Sequence, residues 1–329
     1  MKNFDIVKNK YKFLLIPAVI VLVGIIMYFV NSGFNYDIEF IGGVKMEIAM
    51  DGDKNTEEIR DFLQNETGIS PIIVQTTEQG ISIKTKAIEE KAKTEAPAKE
   101  EKADDAEEAT TETASVLNNA KDENAGKIFD ALKTKYNLTD EALLSESSAS
   151  ASFGKQVQGK AFLFTAIAVL LILLYIAIRF EWRSAVMSVV ALLINILVMM
   201  AVYAITYTPL NTTFIAAMLT VVGYSINNTI VVFDRIRENM KLRNPKRGIT
   251  VTTIVNTSIR ESMGRTLNTT ITTLITIVLL YILGVTSVKE FAFPLIIGVI
   301  AGAYSSIFIA STFWASWKES AEEAKKIKK

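Results

Sequence analysis

Six apolar runs decide what this chain can become. They cover residues 13–30, 161–178, 185–207, 213–233, 266–283 and 291–314, and none contains Asp, Glu, Lys or Arg. Each has at least 18 residues, and the core of a bilayer takes about 20 residues of helix to cross. A soluble core does not need six charge-free helices of that length, so the runs read as transmembrane helices. The first follows Lys2, Lys8, Lys10 and Lys12, like the basic start of a signal peptide. Its apolar stretch is longer than the ~7–15 residues of a signal core, and no small-x-small cleavage site closes it. The expectation is a retained anchor, with Pro17 tolerated near its start.

The basic residues set the orientation. The N-terminal tail holds four Lys, the turn 179–183 two Arg, the loop 234–265 eight basic residues, and the tail 315–329 five. The short opposite loops are poor in them: 207–212 holds none and 284–290 only Lys289. The positive-inside rule then puts both termini in the cytoplasm and residues 31–160 outside. The neutral formal charge resolves into two halves. Residues 31–160 carry 15 basic and 26 acidic groups, and the rest carries 20 and 9. The domain plan is a cytoplasmic N-terminus (1–12), a first helix (13–30), an extracytoplasmic domain (31–160), five further helices (161–314) with a basic loop (234–265), and a basic tail (315–329). Within that loop, residues 250–263 read as an amphipathic helix lying on the membrane face, with Ile254, Val255 and Ile259 as its apolar side.

Residues 34–48 alternate polar and apolar side chains, as a half-buried strand does, and Gly42 and Gly43 mark a bulge or a close backbone approach. Residues 56–67 have helical spacing and end at Gly68. Residues 72–75 and 81–84 read as a hairpin around 78–80, residues 125–136 as a second helix, and 147–153 as a last strand. That order suits a split βαβ, ferredoxin-like α+β domain. Residues 88–124 are dominated by Glu, Lys, Ala, Thr and Asp, with no aromatic side chain, a composition that reads as a disordered charged insertion.

The chain has no Cys and no His. That removes thiol nucleophiles, disulfides, imidazole relays and the usual zinc sites. No Ser-Lys, paired-Asp or metal-binding set lies in the helices, so an enzyme is not expected. Polar residues do interrupt runs three to five. Asn195 lies about 15 Å into its helix at the ~1.5 Å rise. Ser225, Asn228 and Thr229, with Asn227 beside them, share a face of run four. Arg265, Asn268, Thr269 and Thr272 form a similar face on run five. Together they suggest a polar seam, open to either an ion pathway or static helix packing. Asp234, Arg235 and Arg237 sit at the end of run four, where interfacial ion pairs are the plainer reading. The basic residues there serve orientation, and no nucleic acid partner is expected.

Four stretches resemble the SecF family, the accessory membrane subunit of the bacterial Sec protein-export machinery within the RND superfamily. They are residues 34–48, with Asp37, Phe40, Gly42 and Gly43; residues 175–182; residues 213–239, with Tyr224 through Asn239; and residues 265–273. The resemblance implies a six-helix polytopic membrane protein of the bacterial cytoplasmic membrane. It implies a SecD-like partner, a SecYEG-type channel with the ATPase SecA, and a translocating preprotein as cargo. Ion flow through the seam would drive the external domains, with H⁺ or Na⁺ as coupling ion and no other cofactor. The family usually has Asp where Asn228 stands, and a His-Asp pair where Ile194 and Asn195 stand. Both acids are amides here. The alternative is an exporter of small molecules or lipids from the same superfamily, which the small external segment disfavours.

Overall fold

The computed structural model describes residues 5–50, 55–68, 71–77, 80–86, 123–149, 181–242 and 249–327, with scattered helical positions between 159 and 178. They form two compact units, Tyr36–Lys160 and the remainder of the chain. The charged stretch expected at 88–124 lies almost wholly outside the described residues, as do the turn residues 78–79.

The smaller unit is a sheet with two helices. A single helical turn, Ile38–Ile41, leads into β1 (Gly43–Ala49). Then come α2 (Thr56–Thr67), β2 (Pro71–Thr77), β3 (Gly80–Lys86), α3 (Glu123–Tyr136) and β4 (Leu143–Ala149). The strand order is β2-β3-β1-β4, and every neighbouring pair is antiparallel. This is the split βαβ arrangement that the order of elements predicts. Asn55 caps α2 by accepting from the Glu57 amide, and Gly68 ends it in the left-handed region at φ 68°. The core packs Met46, Ile48, Ile81 and Ile83 of the sheet against Ile59 and Leu63 of α2 and Ile128 and Leu132 of α3. Two expectations shift. Residues 34–48 are not one strand, because the chain makes the turn Ile38–Ile41 first. The last strand starts four residues earlier than 147.

The larger unit is helical. Its elements are α1 (Lys10–Val30), α4 (Trp182–Thr206), α5 (Thr212–Lys241), α6 (Val251–Leu283) and α7 (Thr286–Tyr304). A π-helical stretch (Ser305–Ala310) joins α7 to α8 (Ser311–Ile327). Among the described residues, five helices are long and apolar enough to cross a membrane, with Thr286–Ala324 taken as one. The expected second span, 161–178, falls on residues described only in part.

In α1, Pro17 has no N–H, which frees the Phe13 carbonyl one turn earlier. In a bilayer that carbonyl needs a partner. Tyr304 supplies it, donating its hydroxyl to Phe13 O at 2.8 Å. Before α1, Asn256 accepts from the Ile6 and Val7 amides at 3.0 and 3.2 Å and donates to Asp5 at 2.8 Å. Burial pushes the Asp5 carboxyl up, but the Asn256 and Lys8 hydrogen bonds outweigh it and leave it below the ordinary carboxylate value.

The stretch 250–263 is not a separate helix on the membrane face. It is the first part of α6. Val251, Val255 and Ile259 pack with Ile6, Phe233, Ile236 and Trp314 in one core cluster. The polar side chains that made this stretch look peripheral mostly bond to their own helix: Ser258 donates to Ile254 O and Ser262 to Ser258 O. Its apolar stripe is therefore spent on protein contacts.

Candidate polar seam

Lipid gives helices no hydrophobic reason to associate, so close approach through small residues has to hold them together. The approaches are visible at three glycines. A Cβ at Gly24 of α1 would lie 2.5 Å from Ala201 Cβ of α4. One at Gly298 of α7 would lie 2.5 Å from both Val221 methyls of α5. One at Gly302 would lie 3.0 Å from Asn195 Nδ2 of α4 and 3.0 Å from Ser225 Oγ of α5. Gly298 and Gly302 form a G-x-x-x-G pair on run six. The pair was missed in reading the sequence, although its spacing signals a close-packing helix face.

Gly302 thus brings together Asn195 and Ser225, which run three and run four contribute separately. Asn195 is 1% exposed and Ser225 0%. Neither Asn195 amide atom nor the Ser225 hydroxyl has a hydrogen-bond partner among the described residues. Asn228, 3% exposed, leaves its Nδ2 unpartnered. Thr229 is different: its hydroxyl donates to Ser225 O at 2.9 Å and lies 2.7 Å from Ser306 Oγ. Ser306 also donates to Ser225 O, at 3.2 Å. Ser306 sits in the π-helical stretch, the kind of irregularity that recurs at functional sites. Run six therefore contributes Gly302 and Ser306 to a seam that the sequence assigned to runs three to five.

Buried polar groups are normally paired, and an unpaired one costs about 1–3 kcal/mol. Several of them lie together in this bundle, which makes it the candidate site. Its chemistry is neutral. It offers amide and hydroxyl oxygens and N–H donors, and no group here exchanges a proton. Among the described residues, no set of three acidic, His or Cys side chains gathers to hold a metal.

Other expected members lie elsewhere. Asn227 is exposed on α5. On α6 the expected face is turned away from the other helices of this chain: Arg265, Asn268, Thr269 and Thr272 are all exposed. Thr269 and Thr272 donate to the carbonyls of Arg265 and Asn268 on their own helix. The inward face carries Ser258, Ser262, Thr266 and Thr270, one small residue per turn, and the hydroxyls of Thr266 and Thr270 are buried without partners among the described residues. At 100° per residue, Thr266 and Asn268 stand about 200° apart, so both faces of α6 are polar. At the end of α5, Arg237 bonds Asp234 at 2.7 Å, and Arg235 bonds Glu238 at 2.6 Å and Glu261 of α6 at 2.7 Å. These are surface ion pairs; the last one also ties α5 to α6.

The motif after α1 builds the sheet unit. Asp37 caps its helical turn by accepting from the Ile38 amide at 2.7 Å, and it receives Lys84 Nζ of β3 at 2.9 Å. Both side chains are buried. Phe40 is buried on the same turn. Gly42 has φ 78° and Gly43 φ 148°, and a Cβ at Gly43 would lie 2.0 Å from Thr85 O. The glycine pair is therefore where the backbone reverses and meets β3 closely. Lys84 went unnoticed in the sequence, because nothing local links it to Asp37.

Comparison with known proteins agrees with the four stretches. A family model described as protein export membrane protein SecD/SecF, C-terminal, matches residues 129–320. The protein translocase subunit SecF of Petrotoga mobilis is 31% identical over 313 residues, 94% of this chain and 95% of that one. The SecF of Alicyclobacillus acidocaldarius is 43% identical over 164 residues, 50% of this chain and 53% of that protein. The translocase subunit SecDF of Bacillus subtilis is 32% identical over 94% of this chain, which spans only 37% of that longer protein. A crystal structure of SecDF from Thermus, described as a translocon-associated membrane protein, aligns with TM-score 0.77 and 26% identity, over 96% of this chain and 38% of that one.

Proposed function

Because the chain belongs to the SecD/SecF family of protein export membrane proteins, with a SecF-type relative along nearly its whole length, we propose that it acts as an accessory subunit of the Sec translocase. In this reading it promotes export of preproteins together with a SecD-like partner, beside a SecYEG-type channel served by SecA. It crosses the cytoplasmic membrane six times, with 161–178 as the second span. Both termini are cytoplasmic and the sheet unit is outside. The chain is a translocation subunit rather than an enzyme.

The observation that carries the reading is the buried, uncharged group of Asn195 and Ser225 against Gly302, with Asn228 one turn along α5 from Ser225. A polar cluster in a membrane bundle is costly, and one left without partners serves something other than folding. The exposed polar face of α6 supports the partner. Asn268, Thr269 and Thr272 lie exposed within the span 266–283, with Arg265 at its cytoplasmic end, and lipid offers the Asn268 amide nothing. A second polar subunit does.

Neither Asn195 nor Asn228 can take up a proton. The proton carrier is therefore assigned to the SecD-like partner, and this chain supplies neutral hydrogen bonds along the path. The second reading is Na⁺ on oxygens of Asn228, Ser225 and Thr229. It is favoured by the unpartnered Ser225 hydroxyl, since a hard cation seeks oxygen. Export into vesicles holding both subunits and the channel, under either a proton or a sodium gradient, separates the two. Stimulation by the proton gradient alone, lost when an acid of the partner is replaced, supports the first reading. Stimulation by sodium alone supports the second. No response to either gradient, in the native chain or in Asn228→Asp, overturns the gradient-coupled function.

A further inference from the structure

At the start of α4, Arg183 is a cation that the chain leaves unanswered. Its Nε is buried, and among the described residues the guanidinium has neither a hydrogen bond nor an ion pair. Its neighbours at this end differ: Lys318 meets Glu181 at 2.8 Å, and Arg237 meets Asp234 at 2.7 Å. Two indole rings hold Arg183 instead. Its Cζ lies 5.3 Å from the Trp182 ring centre and 6.0 Å from that of Trp317 on α8. The two rings meet edge to face at 4.8 Å. The guanidinium is held in position with its donors unspent.

Its place in the helix sharpens the imbalance. Arg183 stands in the first turn of α4, where the positive end of the helix dipole repels a cation. Glu181, at the N-cap, makes no side-chain bond to the amides there. An anion beside Arg183 relieves both positive features. The planar fork of a guanidinium fits two oxygens of a phosphate. The surroundings point to a lipid rather than an acidic protein segment. α4 is long and apolar enough to cross a membrane. Arg183 therefore lies at headgroup depth, with Trp182 and Trp317 as interfacial aromatics. Trp182, Val186, Val190, Leu193 and Leu197 follow one another at steps of three and four, and each is 37–57% exposed. That spacing makes a single stripe leading along α4 from the Arg183 end, a track for acyl chains.

We propose that Arg183, held by Trp182 and Trp317, binds the phosphate of an anionic phospholipid whose acyl chains lie along this stripe of α4. The site needs α4 to span a bilayer and is independent of ion coupling. The full chain, purified in detergent and mixed with equal amounts of phosphatidylglycerol and phosphatidylethanolamine, is read by native mass spectrometry. A zwitterionic headgroup brings an ammonium toward Arg183, so the native chain retains phosphatidylglycerol about tenfold over phosphatidylethanolamine. Arg183→Gln brings the ratio close to one. Arg183→Lys, which keeps the charge and loses the fork, falls between. Arg237→Gln removes an equal charge at the same end, one that Asp234 already pairs, and leaves the ratio unchanged. Excess inorganic phosphate and a polyglutamate peptide, the free-anion and protein alternatives, leave the lipid in place. Equal retention of the two lipids by the native chain overturns the proposal. So does an unaltered ratio in Arg183→Gln, an equal fall in Arg237→Gln, or displacement of the lipid by phosphate or by the peptide.

Discussion

Two buried polar groups in this chain follow opposite rules. In the sheet unit, Asp37 and Lys84 are full charges, and each is answered: the carboxylate takes an amide and an ammonium, and the ammonium takes the carboxylate. In the helical unit, Asn195 and Ser225 are neutral, equally buried, and unanswered. Paired charges hold a structure in place. Unpaired neutral groups in a bilayer are a standing cost with no return in stability. On the function proposed above, the difference assigns the first cluster to folding and the second to transport.

The comparison can be broken at its strongest point. Asp37→Ala leaves Lys84 buried and uncompensated, which costs about 3–5 kcal/mol. Amide hydrogen exchange in β1 and β3 should lose protection to match, while α4 and α5 keep theirs. Next in size is packing. Gly298→Ala puts a methyl 2.5 Å from Val221, and overpacking of this kind costs about 1–3 kcal/mol. Thermal unfolding of the full chain in detergent should fall in midpoint accordingly. The smallest stability effect is expected on the outer face of α6. Thr269→Val removes a hydroxyl that bonds only its own helix, and the change should stay within about 0.5 kcal/mol. Its effect should appear instead in co-purification with the SecD-like partner, which weakens.

Much of this contrast could be read in the sequence, and the limits have physical reasons. The apolar runs and the order of the sheet elements follow from periodicity, which is local, and α2 ends at Gly68 as its spacing predicts. Asn195 and the Ser225–Asn228–Thr229 face were found because an amide in an apolar run stands out. On α6 the face that spacing picked, Arg265 with Asn268, is exposed in this chain, while Thr266 and Thr270 are buried; that helix is polar on both sides, so spacing could not choose which face turns inward. The stretch 250–263 was separated from its helix for a related reason: its Ser and Thr hydroxyls satisfy themselves on nearby carbonyls, and the helix continues through them. The Asp37–Lys84 pair depends on strand register across 47 positions, and register is a tertiary property. Gly302 and Ser306 carry no polarity signal of their own among the small residues of run six; their role comes from what they touch.

The central claim is that the unpartnered amides serve transport and not stability. Asn195→Leu tests it most directly, because leucine is close in size and removes two polar atoms that have no partner to lose. Thermal unfolding and gradient-stimulated export should be measured on the same preparation, with the SecD-like partner present. The account predicts an unfolding midpoint equal to or above that of the native chain, and loss of most of the gradient stimulation. A lowered midpoint with stimulation retained would contradict it, and would place Asn195 among the residues that merely hold the bundle together.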